Sequence, residues 1–102
     1  MSVGIFVGLS TIDVVYRVDK FPAPNTKIAA QSQDVSVGGP ATNAAIAFAH
    51  LGGSPTLVTA AGRHALADVV RKEVEGQSVR LIDLYPAFEE TPAISSVTPW
   101  PP

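Results

Sequence analysis

The segment that decides the fold combines a glycine turn with an alanine-rich helix. It reads Gly38-Gly39-Pro40-Ala41-Thr42-Asn43-Ala44-Ala45-Ile46-Ala47-Phe48-Ala49-His50-Leu51-Gly52-Gly53. Two successive glycines permit positive φ angles and let another group approach the backbone closely. Proline suits the first helical position, where its missing N–H is not needed. The pattern predicts a helix that begins at Pro40 and packs closely against a sheet through its alanines.

The first turn of this predicted helix is a candidate ligand site. Its free N–H groups and the helix dipole favour oxygen-rich ligands. Asn43 lies about one turn in, and because side chains lean toward the helix N-terminus, its amide points back at the glycine turn. The same residues are also typical of a helix start, with a capping asparagine, that binds nothing.

The turn differs from two nucleotide-binding motifs. The lysine followed by serine or threonine that ends a phosphate-binding P-loop is missing. The dinucleotide fingerprint follows the first strand of its fold, whereas the first predicted strand here runs into Gly8-Leu9-Ser10-Thr11.

Strands and helices alternate along the rest of the chain, which predicts a layered α/β fold. Residues 3–7 form an apolar run typical of a buried parallel strand. Residues 64–75 show the spacing of an amphipathic helix, with Gly76 expected to end it. Residues 12–18 alternate as a half-exposed strand does. The other predicted strands cover residues 27–37, 55–60, 80–84 and 91–97.

Asp13 is the second candidate for the ligand site. It lies just past the first strand, at the end where open α/β sheets bind ligands. A carboxylate among Ile12, Val14 and Val15 needs hydrogen-bond partners, which two neighbouring sugar hydroxyls would supply. The alternative is a turn aspartate that bonds to its own backbone.

Composition excludes several classes of protein. The chain has 102 residues, of which 46% are hydrophobic and 16% charged, with a formal net charge of −2. This is a globular composition without the basic surface expected for nucleic acid or anionic membranes. No cysteine is present, which excludes disulfides and thiolate metal sites. No apolar run approaches the ~20 residues of a membrane span, and we expect a cytoplasmic protein.

Taken in order, these residues resemble the ribokinase-like, or PfkB, carbohydrate kinases. The match begins with Asp13 after its strand and continues through Arg17-Val18-Asp19-Lys20-Phe21-Pro22. It then includes the family's first signature, here Gly38-Gly39-Pro40-Ala41-Thr42-Asn43-Ala44-Ala45, followed by Leu51-Gly52 and a strand closing at Gly62.

The resemblance implies the N-terminal, substrate-binding part of a Rossmann-type three-layer sandwich with a small β-sheet lid. Such kinases transfer the γ-phosphoryl group of ATP, with Mg²⁺, to a hydroxymethyl group of a sugar or nucleoside. The implied substrate-binding residues are Thr11, Asp13, Gly38, Gly39 and Asn43. The implied lid strands are residues 12–18 and 27–37, which often pair with a second subunit. The substrate itself is not specified.

The sequence departs from the family pattern at two positions and lacks its second half. Pro40 replaces a lysine common in ribokinase-like members, and Gly62-Arg63-His64 replaces a glycine followed by acidic residues. His64 is interpreted either as a helix-start residue or as a ligand residue. The second signature, with its anion hole and aspartate base, does not follow Gly62. We therefore expect no catalytic, cofactor-binding or metal-binding residue here, and no activity from these 102 residues alone.

Two other functions are compatible with the sequence. One is a truncated, non-catalytic module that associates through the edges of its lid strands. The other is a sugar-sensing regulator on the same fold, for which no residue argues directly. The ending Pro99-Trp100-Pro101-Pro102 is unusual after a strand and suggests a fragment.

Overall fold

A computed structural model describes residues 2–98, which form six strands and two helices. The ending discussed above, residues 99–102, lies outside the described residues. The elements in chain order are β1 Val3–Val7, β2 Thr11–Arg17, β3 Ser32–Gly38, α1 Pro40–His50, β4 Ser54–Thr59, α2 Ala67–Gly76, β5 Arg80–Asp83 and β6 Ala93–Val97.

The strands form two three-stranded sheets. The parallel sheet has the order β1-β4-β5, with Val3 opposite Ser54 and Thr56 opposite Arg80. The mixed sheet has the order β3-β2-β6, in which β3 is antiparallel and β6 parallel to the central β2. An antiparallel pair allows the helix-free connection of residues 18–31 from β2 to β3, whereas the parallel strands β1, β4 and β5 require the crossovers that α1 and α2 supply.

The core lies between the helices and the two sheets. Its buried members are Ile12, Val37, Ala45, Leu57, Val70, Val74 and Val79. The helix α1 covers β1 and β4, where the rings of Phe6 and Phe48 pack at 5.4 Å. Helix α2 contacts β5, β3 and β2, so it joins the parallel sheet to the mixed sheet.

Most predicted elements are confirmed, and two begin three or more residues later than expected. The second strand of the mixed sheet begins at Ser32 and not at residue 27, because its partner β2 ends at Arg17, which faces Ser32. Helix α2 begins at Ala67 and not at residue 64. The imidazole Nδ1 of His64 accepts the backbone N–H of Leu66 at 3.0 Å, which holds the preceding residues in a turn. This is the helix-start role for His64.

The prediction that the first strand is buried on both faces is wrong for the described residues. The side chains of Val3, Ile5 and Val7 are 67–76% exposed, whereas Gly4 and Phe6 face α1 and are partly covered. The alternating pattern arises because both helices cover the same face of the parallel sheet, and no described element packs against the opposite face of β1.

The end of α2 also differs from the prediction. Gly76 is the last helical residue, and the left-handed position is Ser78, with φ 65°. The N–H of Val79 donates to the carbonyl of Val74 at 3.0 Å and closes the helix. The main-chain closure therefore uses a serine where glycine is the usual residue.

Candidate functional site

The candidate site centres on Asp13 in the middle of the mixed sheet. The register places Gly38 opposite Thr11 on the neighbouring strand β3. The hydroxyl of Thr11 donates to Oδ1 of Asp13 at 2.8 Å. Because alternate residues of a strand and their register partners project to one face, these three residues share a face. Asp13 lies within a strand, so it is not the turn aspartate considered as an alternative.

Gly38 is buried and leaves the space that the Asp13 carboxylate occupies. A Cβ at Gly38 would lie 2.1 Å from Oδ2 of Asp13 and 2.8 Å from Oγ1 of Thr11. Real Cβ atoms do not approach other atoms so closely. The first glycine of the signature therefore leaves the carboxylate beside it in this position, which any larger residue would displace.

Gly39 is required for a different reason. Its φ of 99° is a conformation that side-chain-bearing residues avoid, and a Cβ there would lie 2.2 Å from the carbonyl oxygen of Leu9. The residue is the N-cap of α1, and Pro40 occupies the first helical position, as predicted. The two glycines thus bring the start of α1 against the segment that leads into β2.

Asn43 is on the exposed surface of the first turn of α1. Its backbone N–H donates to the carbonyl of Gly39 at 2.9 Å, but no side chain caps the helix. The capping-asparagine interpretation is therefore wrong. The structure brings together Thr11, Asp13, Gly38 and Gly39, and it places Asn43 one turn along the helix that follows them.

Three buried hydroxyls hold this region in place. The hydroxyl of Ser10 lies 2.8 Å from that of Thr42 on α1 and donates to that of Thr59 on β4 at 3.0 Å. All three residues are at most 3% exposed. Sequence analysis missed this triad, since its members are 17 to 49 residues apart and only Thr42 lies in the signature. The triad joins the approach to Asp13, the signature helix and the parallel sheet.

Two further serines lie beside Asp13 in the register. Ser36 on β3 and Ser95 on β6 are its partners on the two neighbouring strands. The three side chains form a polar row on one face of the mixed sheet. The sequence predicted a strand over residues 91–97, but not its pairing with β2.

A carboxylate at the end of β5 holds the loop that follows β4. Asp83 accepts the backbone N–H groups of Ala61, Gly62 and Tyr85 at 2.9–3.0 Å, and the guanidinium of Arg71 at 2.9 Å. Burial by itself would raise the pKa of Asp83. The backbone donors and Arg71 outweigh burial and lower this pKa below its ordinary value. Arg71 also donates to the carbonyl of Gly62. The arginine that pairs with Asp83 therefore holds the same turn through a second bond.

Residues 2–98 contain neither a cluster of metal ligands nor a membrane-spanning helix. Within residues 2–98, no three His, Asp or Glu side chains lie close enough to hold a metal ion. Neither α1 nor α2 has the length and apolar character needed to cross a membrane.

Comparison with known proteins gives concordant matches. The family described as pfkB family carbohydrate kinase matches residues 4–87. A nucleoside kinase of Methanocaldococcus jannaschii is 30% identical over 84 residues, which are 82% of this chain and 28% of that protein.

Solved structures share the fold. The crystal structure of the Methanocaldococcus jannaschii nucleoside kinase, an archaeal member of the ribokinase family, has a TM-score of 0.77 at 25% identity and covers 99% of this chain and 34% of that one. A candidate ribokinase of Agrobacterium tumefaciens has a TM-score of 0.84 at 19% identity, over 95% of this chain and 32% of that one. The chain thus spans about a third of the length of these relatives, and its α/β architecture corresponds to an N-terminal part of the ribokinase fold.

Proposed function

This chain belongs to the pfkB family of carbohydrate kinases, and from that premise we propose that residues 1–102 are the N-terminal, substrate-binding part of an ATP-dependent kinase. The acceptor is the hydroxymethyl group of a sugar or a nucleoside. The observation that carries the proposal is the Asp13 carboxylate beside Gly38, where a Cβ would fit only if the carboxylate moved.

Asp13 is the anchor for substrate hydroxyls in this proposal. Its Oδ1 already accepts the Thr11 hydroxyl, and a carboxylate has capacity for further donors on both oxygens. Two neighbouring hydroxyls of a sugar supply such donors. Gly38 and Gly39 let the sugar approach the backbone, and the exposed amide of Asn43 adds a donor and an acceptor.

ATP and Mg²⁺ belong to the proposed complete enzyme. Phosphoryl transfer depends on positioning and on charge stabilisation around the phosphates and the metal. The residues of this chain do not fit that task, because no second glycine-rich motif that could hold the phosphates follows Gly62. We assign no catalytic residue to this chain.

The mixed sheet is the proposed lid. Strands β2 and β3 carry the substrate face, and closure of the sheet over the sugar would exclude water from it. A homodimer through the lid strands is part of the proposal, as are a cytoplasmic location and the absence of nucleic-acid and membrane partners. The net charge of −2 is the support for the last point.

A second candidate function is a non-catalytic module that associates through its lid strands. The supporting observation is that β3 and β6 are the outer strands of the mixed sheet, where Val35 and Ile94 are 51% and 50% exposed. Edge strands of this kind pair with other chains. Both candidates associate through the lid strands, so sugar binding distinguishes them: the non-catalytic module would form dimers or larger species in equilibrium sedimentation and bind no sugar or nucleoside.

Calorimetry of the 102-residue chain with a sugar and nucleoside panel tests the main proposal. We expect Asp13→Asn to abolish the binding heat, since the amide offers one acceptor oxygen fewer. The matched control is Asp34→Asn, an exposed aspartate on β3 whose register partner is Val15. Absence of heat with every compound, or equal binding by wild type and Asp13→Asn, would contradict the assignment of Asp13.

A further inference from the structure

A cavity of about 300 Å³ lies at the carboxyl ends of the parallel strands, on the opposite side of Thr11 from Gly38. Leu9 follows β1, Ala60 follows β4 and Tyr85 follows β5, so three chain segments converge there. Open α/β sheets bind their ligands at this end of their strands. The volume is at the lower end of the ~300–1,000 Å³ typical of small-molecule sites. Its lining residues are Leu9, Ser10, Ala60, Tyr85, Phe88, Thr91, Pro92 and Ala93.

The wall of this cavity includes an aromatic pair. The rings of Tyr85 and Phe88 meet edge to face, with centroids 5.6 Å apart. The Phe88 carbonyl accepts the N–H of Arg63 at 2.7 Å, and its N–H donates to the carbonyl of Tyr85 at 3.1 Å. The backbone therefore holds Phe88, while Tyr85 and Leu9 remain 57% and 59% exposed. Fixed aromatic rings beside exposed apolar surface favour a flat ring as ligand.

The cavity adjoins the candidate sugar site. Ala93, in the cavity wall, is the register partner of Thr11. Register partners on neighbouring strands project to one face, so Ala93 lies on the face that carries Thr11 and Asp13. Leu9, also in the wall, presents its carbonyl to Gly39. A ligand with its hydroxyls at Asp13 would therefore have its other end directed along the sheet to the cavity.

The lining residues also indicate the charge of the ligand. None of the eight residues carries a charge. Ser10, Thr91 and Tyr85 are the hydroxyl-bearing members, and Ser10 is already bonded to Thr42 and Thr59. A phosphate group would require basic side chains or an array of N–H donors. The lining thus suits a neutral aromatic group and not a sugar phosphate.

We propose that this cavity accepts a neutral heteroaromatic ring joined to the sugar, which makes a nucleoside the substrate class. The inference rests on the proposed function, because it takes Asp13 as the anchor for the sugar. It adds Tyr85 and Phe88 as residues that determine specificity through contact with the ring.

Calorimetry with adenosine, ribose and ribose 5-phosphate tests the inference on the 102-residue chain. We expect adenosine to bind at least tenfold more tightly than ribose, which is the order expected for one stacked base. Tyr85→Leu retains apolar area but removes the flat ring, and it should lower adenosine affinity by roughly tenfold while ribose affinity stays the same. Ala60→Phe, which fills the cavity, should have the same selective effect.

The control is Leu51→Ser, which removes an apolar side chain that is 87% exposed between the end of α1 and the start of β4, towards the amino ends of the parallel strands. Melting curves by circular dichroism confirm that each variant is folded. Equal affinity for adenosine and ribose, or equal losses for both ligands in Tyr85→Leu, would overturn the nucleoside inference and leave the sugar site in place. Failure of every ligand to bind the wild type would overturn both.

Discussion

The side-chain position of Gly38 coincides with the carboxylate of Asp13. A Cβ on Gly38 would lie 2.1 Å from Oδ2 and 2.7 Å from Cγ of Asp13. The two residues lie on neighbouring antiparallel strands, in adjacent register positions of one face. The glycine of the signature and the aspartate 25 positions before it thus form one structural unit.

Gly38→Ala is expected to weaken both folding and sugar binding. The new methyl group forces the carboxylate or the strand to move, and overpacking of this kind costs about 1–3 kcal/mol. Sugar affinity should fall by about tenfold or more, because the Asp13 oxygens are displaced. Urea denaturation and calorimetry measure the two effects. A variant with unchanged stability and affinity would show that the carboxylate has another position available.

Gly76→Ala is the matched substitution at a position without neighbours. Gly76 is helical, and a Cβ there meets nothing within 4 Å. Alanine should stabilise the protein by about 0.5–1 kcal/mol, because glycine has the larger conformational entropy in the unfolded chain. Thermal melting measures the shift. A decrease in stability would mean that Gly76 adopts the left-handed role that the structure assigns to Ser78.

Ser10→Ala is expected to destabilise the protein through the hydroxyl triad. The substitution leaves Thr42 and Thr59 buried without the partner they share. A buried polar group that loses its partner costs about 1–3 kcal/mol. Ser54→Ala removes an exposed hydroxyl at the start of β4 and should change stability by less than about 0.5 kcal/mol. Equal effects of the two variants would exclude an energetic role for the triad.

Protonation of Asp83 is expected to lower the folding stability of the protein in acid. The folded pKa of Asp83 lies below its ordinary value, which is about 3.9 in an unfolded chain. Its stabilisation is therefore fully present above that unfolded value and is lost as the pH falls through the folded pKa. Asp83→Asn should be less stable than wild type at pH 7 by about 2 kcal/mol, since charged hydrogen bonds are lost.

The difference between wild type and Asp83→Asn should decrease as the pH is lowered below about 4. Urea midpoints at pH 7 and pH 3 provide the measurement. Asp68→Asn is the control. It removes the charge of the other carboxylate that pairs with Arg71, and because the Asp68 side chain is 63% exposed, the loss should be less than about 1 kcal/mol. A difference for Asp83→Asn that stays constant with pH would contradict the role of its ionised form.

The 102-residue chain is expected not to phosphorylate a sugar. No second glycine-rich motif that could hold the phosphates follows Gly62 within these residues, and charge stabilisation around the phosphates accounts for most of phosphoryl transfer. A coupled ADP assay with ATP, Mg²⁺ and each member of the panel tests this expectation. Sugar-dependent ADP release above the protein-free rate would refute it.

The local elements could be predicted from the sequence because local residues determine them. The strand Val3–Val7 and the helix start at Pro40 follow from an apolar run and from a Gly-Gly-Pro turn. The start of α2 was predicted three residues early, because the bond from Leu66 to the His64 ring competes with the helix there. The exposure of Val3, Ile5 and Val7 could not be predicted, since it depends on which faces the helices cover.

The sequence by itself determined the α/β class, the signature helix and the identity of the candidate residues Asp13, Gly38 and Gly39. Each of these depends on the backbone preferences or the polarity of residues close together in the chain. Only the tertiary structure decided that β6 pairs with β2, that Gly38 makes room for Asp13, and that Ser10 bonds to Thr42 and Thr59. These relationships join residues 25 to 82 positions apart. Sheet register and core packing set their distances, and both depend on the whole chain and not on any one segment.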